Sequence, residues 1–171
     1  MKPIAPDSLV FMGVAGCGKS TLGAAVARRI GCEWLEGDDF HSDANRRKMA
    51  SGQPLTDEDR ASWLAALCAQ LRERPGLLLA CSALKRAYRD QLRQASPGLR
   101  FAYLEIDQDE AARRLSSRAA HFFGAGLIAS QFTTLEPPHG EAGVLSLDAR
   151  LPLEQLAAQV TEWLPVPATP C

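Results

Sequence analysis

Residues 13–20 read Gly-Val-Ala-Gly-Cys-Gly-Lys-Ser, a complete G-x-x-x-x-G-K-S phosphate-binding loop. Gly13, Gly16 and Gly18 let the backbone turn tightly, so that N–H groups along the stretch, which also includes Val14, Ala15, Cys17 and Thr21, point inward at phosphates. Lys19 reaches the β- and γ-phosphates, Ser20 offers its hydroxyl to Mg²⁺, and the following helix directs its positive end at the anion. The ligand class is a nucleoside triphosphate with magnesium. Cys17, inside the loop, is the thiol with a redox consequence, because helix-end N–H groups and Lys19 favour a reactive thiolate.

Such a loop serves kinases, GTPases, ATPase motors and regulatory modules alike. Transfer to a small molecule further needs an acceptor hydroxyl in line with the γ-phosphate and cations around the transferring group. Three segments carry suitable side chains. In Glu36-Gly37-Asp38-Asp39-Phe40-His41, three carboxylates and a histidine can hold magnesium waters and take a proton from a hydroxyl. Asp38 is the candidate base or hydroxyl anchor, with Asp39 and His41 in substrate contact. The choice between the aspartates stays open, as does a plain acidic turn. In the stretch 81–90, Lys85 and Arg89 lie four apart on one helical face and, with Ser82, suit an anionic acceptor; a solvated face paired with Asp90 is the alternative. No Asp ends the apolar run 77–81, so magnesium depends on Ser20, waters and the Asp38 region. In the stretch 113–123, Arg114 and Arg118 sit one turn apart ahead of Gly124 and Gly126, as in a lid that carries arginine onto the γ-phosphate. A basic helix end favoured by the dipole is the plainer reading. Arg60 and Trp63 share a helical face and either line an acceptor pocket or, for Trp63, pack in the core. His139 reads as a loop residue.

These groups need a scaffold that gathers them. Short apolar strands alternate with amphipathic helices, the pattern of an α/β domain with a mainly parallel sheet. Strands are expected at 9–12, 33–35, 77–81, 101–106 and 143–147. Helices are expected at 19–30, in the polar region up to 51, and at 56–74, 85–94, 109–118, 127–135 and 153–164. Thr56 begins its helix with a capping box whose third residue is acidic. In parallel sheets ligands bind at the carboxyl ends of the strands, which is where the phosphate loop and the acid cluster both fall.

The chain has 171 residues, 46% apolar and 23% charged, which fits one globular domain. A net charge of −1 provides no basic field for nucleic acid or an anionic membrane, and no apolar run is long enough to span one. The first seven residues carry a charge and two prolines where a signal peptide would have its apolar stretch. Five scattered cysteines with no C-x-x-C pairing point to reduced thiols in a cytoplasmic protein.

Gly-Val-Ala-Gly-Cys-Gly-Lys-Ser-Thr, Leu-Glu-Gly-Asp-Asp-Phe-His, Lys-Met-Ala-Ser-Gly-Gln-Pro-Leu-Thr-Asp-Glu-Asp-Arg, Cys-Ser-Ala-Leu-Lys-Arg-Ala-Tyr-Arg-Asp, His-Phe-Phe and Ser-Gln-Phe-Thr-Thr-Leu-Glu-Pro-Pro occur in that order. Together they closely resemble the gluconate kinases, relatives of shikimate and adenylate kinases, over residues 8–164. The resemblance implies a P-loop, nucleoside-monophosphate-kinase-like three-layer fold with a five-stranded parallel sheet. It implies one domain over 1–171, with a lid at about 118–126 and a tail at 165–171. The implied activity is ATP- and Mg²⁺-dependent phosphorylation of D-gluconate to 6-phospho-D-gluconate in a cytoplasmic homodimer. A polyol carboxylate needs cations for its carboxylate, supplied by Arg60, Lys85 and Arg89, and carboxylates for its hydroxyls. The chain departs from the family at Ala119-Ala120, where a Lys-Gly pair is usual, and at Ser42, Ser62 and Thr133. Another kinase of this fold and a non-catalytic nucleotide-binding protein are the rival classes.

Overall fold

The computed structural model describes residues 7–117 and 124–165. Strand β1 (Leu9–Met12) is buried at every position, as a parallel strand covered on both faces must be. Around it lie β2 (Trp34–Glu36), β3 (Leu78–Ala80), β4 (Arg100–Glu105) and β5 (Val144–Asp148), all parallel, in the order β2-β3-β1-β4-β5. The helices are α1 (Lys19–Ile30), α2 (Asp43–Ala50), α3 (Asp57–Glu73), α4 (Arg86–Ala95), α5 (Gln108–Ser116), α6 (Ala125–Thr134) and α7 (Leu153–Trp163).

Because side chains alternate along a strand, β1 feeds two cores. Leu9 and Phe11 pack with Leu22 and Val26 of α1 and Leu156 and Val160 of α7. Val10 and Met12 pack with Trp63 and Leu67 of α3 and Leu92 of α4. The result is the expected three-layer arrangement, with element ends displaced by one or two residues from the sequence-based expectation. Thr56 Oγ1 accepts from the Asp59 N–H at 3.2 Å and Asp59 Oδ2 accepts from the Thr56 N–H at 2.8 Å, completing the anticipated capping box. A hydrogen bond from Lys48 and then those of Thr56 hold the Asp59 carboxyl down to about 2, and the Lys48 contact ties α2 to α3.

The element the sequence did not announce is a 3₁₀ turn, Gly37–Phe40, directly after β2. It crosses so close to β3 that a Cβ on Gly37 would lie 2.1 Å from the Ala80 carbonyl oxygen. Gly37→Ala is therefore expected to lower stability by about 1–3 kcal/mol in urea unfolding, through forced displacement of the turn. An unchanged midpoint would show that the turn can back away from β3 without loss.

Cys17, Cys68 and Cys81 are free and buried. Burial pushes the Cys81 thiol up to about 12. Cys32 is disulfide-bonded, so the expectation of reduced thiols throughout fails at that position. Among the described residues no helix is long and apolar enough to cross a membrane.

Candidate active site

A cleft of about 730 Å³ opens over the carboxyl ends of β1, β2 and β3. One wall is the phosphate loop, from which Ala15, Gly16, Gly18, Lys19, Ser20 and Thr21 face the cavity. Gly18 caps α1 in the left-handed region at φ 100°, which a residue with a Cβ adopts only with strain. The Lys19 ammonium donates to the Val14 carbonyl at 3.0 Å, and the Ala15 N–H donates to Gln131 Oε1 at 2.6 Å, which brings α6 against the loop. Gly13 and Val14 lie buried beneath, with the Gly13 N–H donating to the Ser82 carbonyl at 3.3 Å. Cys17 is buried with them, 1% exposed, so the thiol for which the motif suggested a redox consequence packs in the core under the loop.

The opposite wall is built from the 3₁₀ turn, α2 and α3. Asp38 lines the cleft with an exposed carboxylate, whereas Asp39 does not line it and uses its carbonyl to accept from Arg46 at 2.7 Å. The geometry thus separates two aspartates that were equivalent in sequence. His41 lines the cleft but is buried, its ring stacked on Trp63 with centroids 4.4 Å apart and planes 13° from parallel. Trp63 serves both readings at once, lining the cleft and packing in the core while its indole N–H donates to the Gly37 carbonyl at 2.8 Å. Burial lowers the pKa of His41; Asp38 opposes that, and Arg46 and Arg60 reinforce it, so the ring is neutral at pH 7.

The cations divide. Arg60 lines the cleft, held by the Leu55 carbonyl at 2.6 Å and the Tyr88 hydroxyl at 3.4 Å. Lys85 stands back from it, donating to both carboxylate oxygens of Asp57 at 2.9 Å. The hydrogen bond to Asp57 raises the pKa of Lys85. Arg89 departs from the expected acceptor contact altogether. It is 0% exposed and donates to Glu141, to the Ala83 and Leu84 carbonyls and to the Glu136 carbonyl, so its role is to anchor the β3–α4 connection. Arg114 donates to Glu110 Oε1 at 2.8 Å and the Ala149 carbonyl at 2.9 Å and does not line the cleft. Arg118 lies outside the described residues, as do 119–123 of the expected lid.

Arg46 and Arg47 of α2, with Ser130 and Gln131 of α6, line the cleft without having been singled out in the sequence. Two adjacent arginines on a polar helix look like ordinary surface charge, and only the fold turns them inward. Glu36 was noticed only as part of the acid cluster, yet its half-buried carboxylate stands at the end of β2 close to the Ser20 hydroxyl. Its burial raises its carboxyl pKa, and the nearby Ser20 hydroxyl works against that. A serine hydroxyl beside a carboxylate is an all-oxygen donor set that suits Mg²⁺, an ion that keeps most of its water and takes its other ligands from phosphate. No group of three or more His, Cys, Asp or Glu side chains among the described residues forms a closed metal cage.

An arrangement in which phosphate loop, carboxylate and inward arginines face one cavity can hold a triphosphate and an anionic hydroxyl compound together. Known proteins agree with that geometry. A family model described as an AAA domain matches residues 9–138. The chain is 44% identical over 158 residues to the thermoresistant gluconokinase of Escherichia coli (strain K12), covering 90% of each chain. It is 46% identical over 144 residues to the gluconokinase of Gluconobacter oxydans (strain 621H), covering 82% of this chain and 81% of that one. The crystal structure of a gluconokinase from Sinorhizobium meliloti 1021 superposes with a TM-score of 0.84 at 42% identity, covering 92% of this chain and 94% of that chain. On sequence, on fold and on the cleft that joins them, the chain belongs to the gluconokinase family.

Proposed function

We propose that this protein transfers the γ-phosphoryl group of ATP to the terminal hydroxyl of D-gluconate, giving 6-phospho-D-gluconate and ADP. The observation that carries this reading is the single cleft in which Asp38, His41 and Arg60 face Lys19 and Ser20 across the strand ends. The loop N–H groups of Gly16, Gly18, Lys19, Ser20 and Thr21, which face the cleft, and the Lys19 ammonium hold the triphosphate. Arg60, with Arg46 and Arg47 nearby, offers the positive charge that a sugar-acid carboxylate requires. Asp38 orients the attacking hydroxyl and takes its proton.

Ser20 and Glu36 would hold a Mg²⁺ ion, whose contribution is to neutralise charge on the phosphate oxygens. Arg118, on a lid over about 118–126, is assigned the second cation on the transferring group. A single domain working as a homodimer in the cytoplasm completes the reading.

The test is ATP consumption by the purified protein with Mg²⁺ and D-gluconate, shikimate, AMP, glucose or no acceptor. Turnover with gluconate well above the others is expected. Turnover confined to shikimate or AMP would assign the cleft to another acceptor, and ATP binding without acceptor-dependent turnover would remove the enzyme reading.

A further inference from the structure

Asn45 of α2 is 4% exposed and does not line the cleft, yet its carboxamide is bonded to a residue that does. Its side-chain nitrogen lies 2.8 Å from the Asp59 carbonyl oxygen and 3.4 Å from His41 Nδ1. A carbonyl can only accept, so the group facing Asp59 is the NH₂; the flipped amide would set two oxygens against each other. The second hydrogen of that NH₂ then faces Nδ1, which must be the bare, accepting nitrogen. In a neutral ring the one proton is therefore on Nε2. The charged groups around the ring are Asp38 on its own turn, Arg46 on α2 and Arg60 on α3; their combined effect with burial keeps it neutral.

We propose that Asn45 sets the tautomer of His41, so that the ring presents an Nε2–H donor to the acceptor beside the Asp38 carboxylate. The Nε2 atom lies 3.9 Å from Asp38 Oδ1, beyond direct hydrogen-bond distance. An oxygen placed about 2.8 Å from each atom would see them at about 90°, an acceptable angle for a hydroxyl that donates to one and accepts from the other. An ether or carbonyl oxygen has no hydrogen for Asp38. The pair therefore selects a hydroxyl at that point of the acceptor. Stacking on Trp63 fixes the plane of the ring but tolerates a half-turn about the Cβ–Cγ bond, which would put ring carbons where Nδ1 and Nε2 stand. The bond from Asn45 removes that freedom. Asn45 is thus a positioning residue for acceptor recognition, an inference that rests on the proposed kinase reading for its substrate and on the hydrogen-bond geometry for its tautomer.

Two measurements on the full chain test it separately. Nitrogen-15 NMR of the imidazole rings, with His41 assigned among three histidines by its loss in His41→Gln, should show the Nε2–H form in the unaltered protein at neutral pH. An Nδ1–H ring or an imidazolium there would overturn the inference, whether or not any variant at position 45 folds. In steady-state kinetics, Asn45→Leu should raise the KM for gluconate about tenfold and leave the KM for ATP unchanged, as expected for one lost or misdirected hydrogen bond. In a His41→Gln background, whose amide N–H has no tautomer to set, the same substitution should change the gluconate KM by less than about twofold. Equal effects in both backgrounds would make Asn45 merely structural and end the proposal. Absence of gluconate turnover in the unaltered protein would instead defeat the functional reading, with the NMR result still deciding the tautomer.

Discussion

Asp38→Asn is expected to lower kcat with gluconate by about 10²–10⁴-fold, the range typical for loss of a positioned proton acceptor, with the KM for ATP nearly unchanged. Asparagine keeps the size of the side chain and one oxygen, so a hydroxyl can still be oriented but has nowhere to send its proton. The phosphate loop has no direct hydrogen bond to Asp38; it is held by Lys19 and Cys17 bonding to the Val14 carbonyl, by Gln131 of α6 and by the Ser82 carbonyl. Nucleotide binding should therefore survive. Asp39→Asn is the internal control, because Asp39 does not line the cleft. A hydroxyl held by Asp38 and His41 keeps one lone pair free for attack, so donation from His41 is compatible with this role. Initial rates at saturating ATP decide the matter; an unaltered kcat in Asp38→Asn would remove proton transfer to this residue from the mechanism.

The largest expected effect on stability is that of Glu141→Gln, about 3–5 kcal/mol in denaturant unfolding, because it strands a buried guanidinium. Glu141 accepts from Arg89 Nε at 3.0 Å and from Arg93 at 2.8 Å, and the Arg89 side chain is wholly buried. Burial pushes the Glu141 carboxyl up, but the hydrogen bonds from Arg89 and Arg93 outweigh it and hold it down to about 2. Its folded pKa lies below the unfolded value of about 4.3, so the stability it contributes is fully present above that pH. That contribution is lost as pH falls from about 4.3 towards 2. The gap between the two proteins should therefore narrow across this window, and a gap that stays constant with pH would show that the ion pair is not its source. Because Arg89 also holds the Ala83 and Leu84 carbonyls next to the cleft-lining Ser82, the variant should loosen the site as well as the fold.

Local signals were legible in the sequence because their physics is local. The phosphate loop, the apolar strands and the Thr56 capping box each depend on residues a few positions apart, and each stands where the pattern placed it. What failed were inferences from helical spacing about partners far away. Lys85 and Arg89 share a helix face in sequence, yet Asp57 on α3 takes one and Glu141, beyond β4 and α6, takes the other. The same limit hid Arg47, whose exposed-looking run on α2 becomes a cleft wall once α2 packs beside α3. Asp38 and Asp39 could not be separated before the 3₁₀ turn was known, since that turn sends successive side chains in different directions.

The strand order has a consequence during synthesis. Strand β1 is made well before its two neighbours: Leu9 pairs with Leu78 of β3 on one side and Arg100 of β4 on the other. At roughly 5–20 residues per second, the ribosome needs on the order of 5–20 s to supply those edges. For that interval four apolar residues in a row have no strand to pair with on either side, and β2 cannot help because it pairs only with β3. The segment that carries the phosphate loop into the centre of the sheet is therefore the one the nascent chain must keep from other chains for longest.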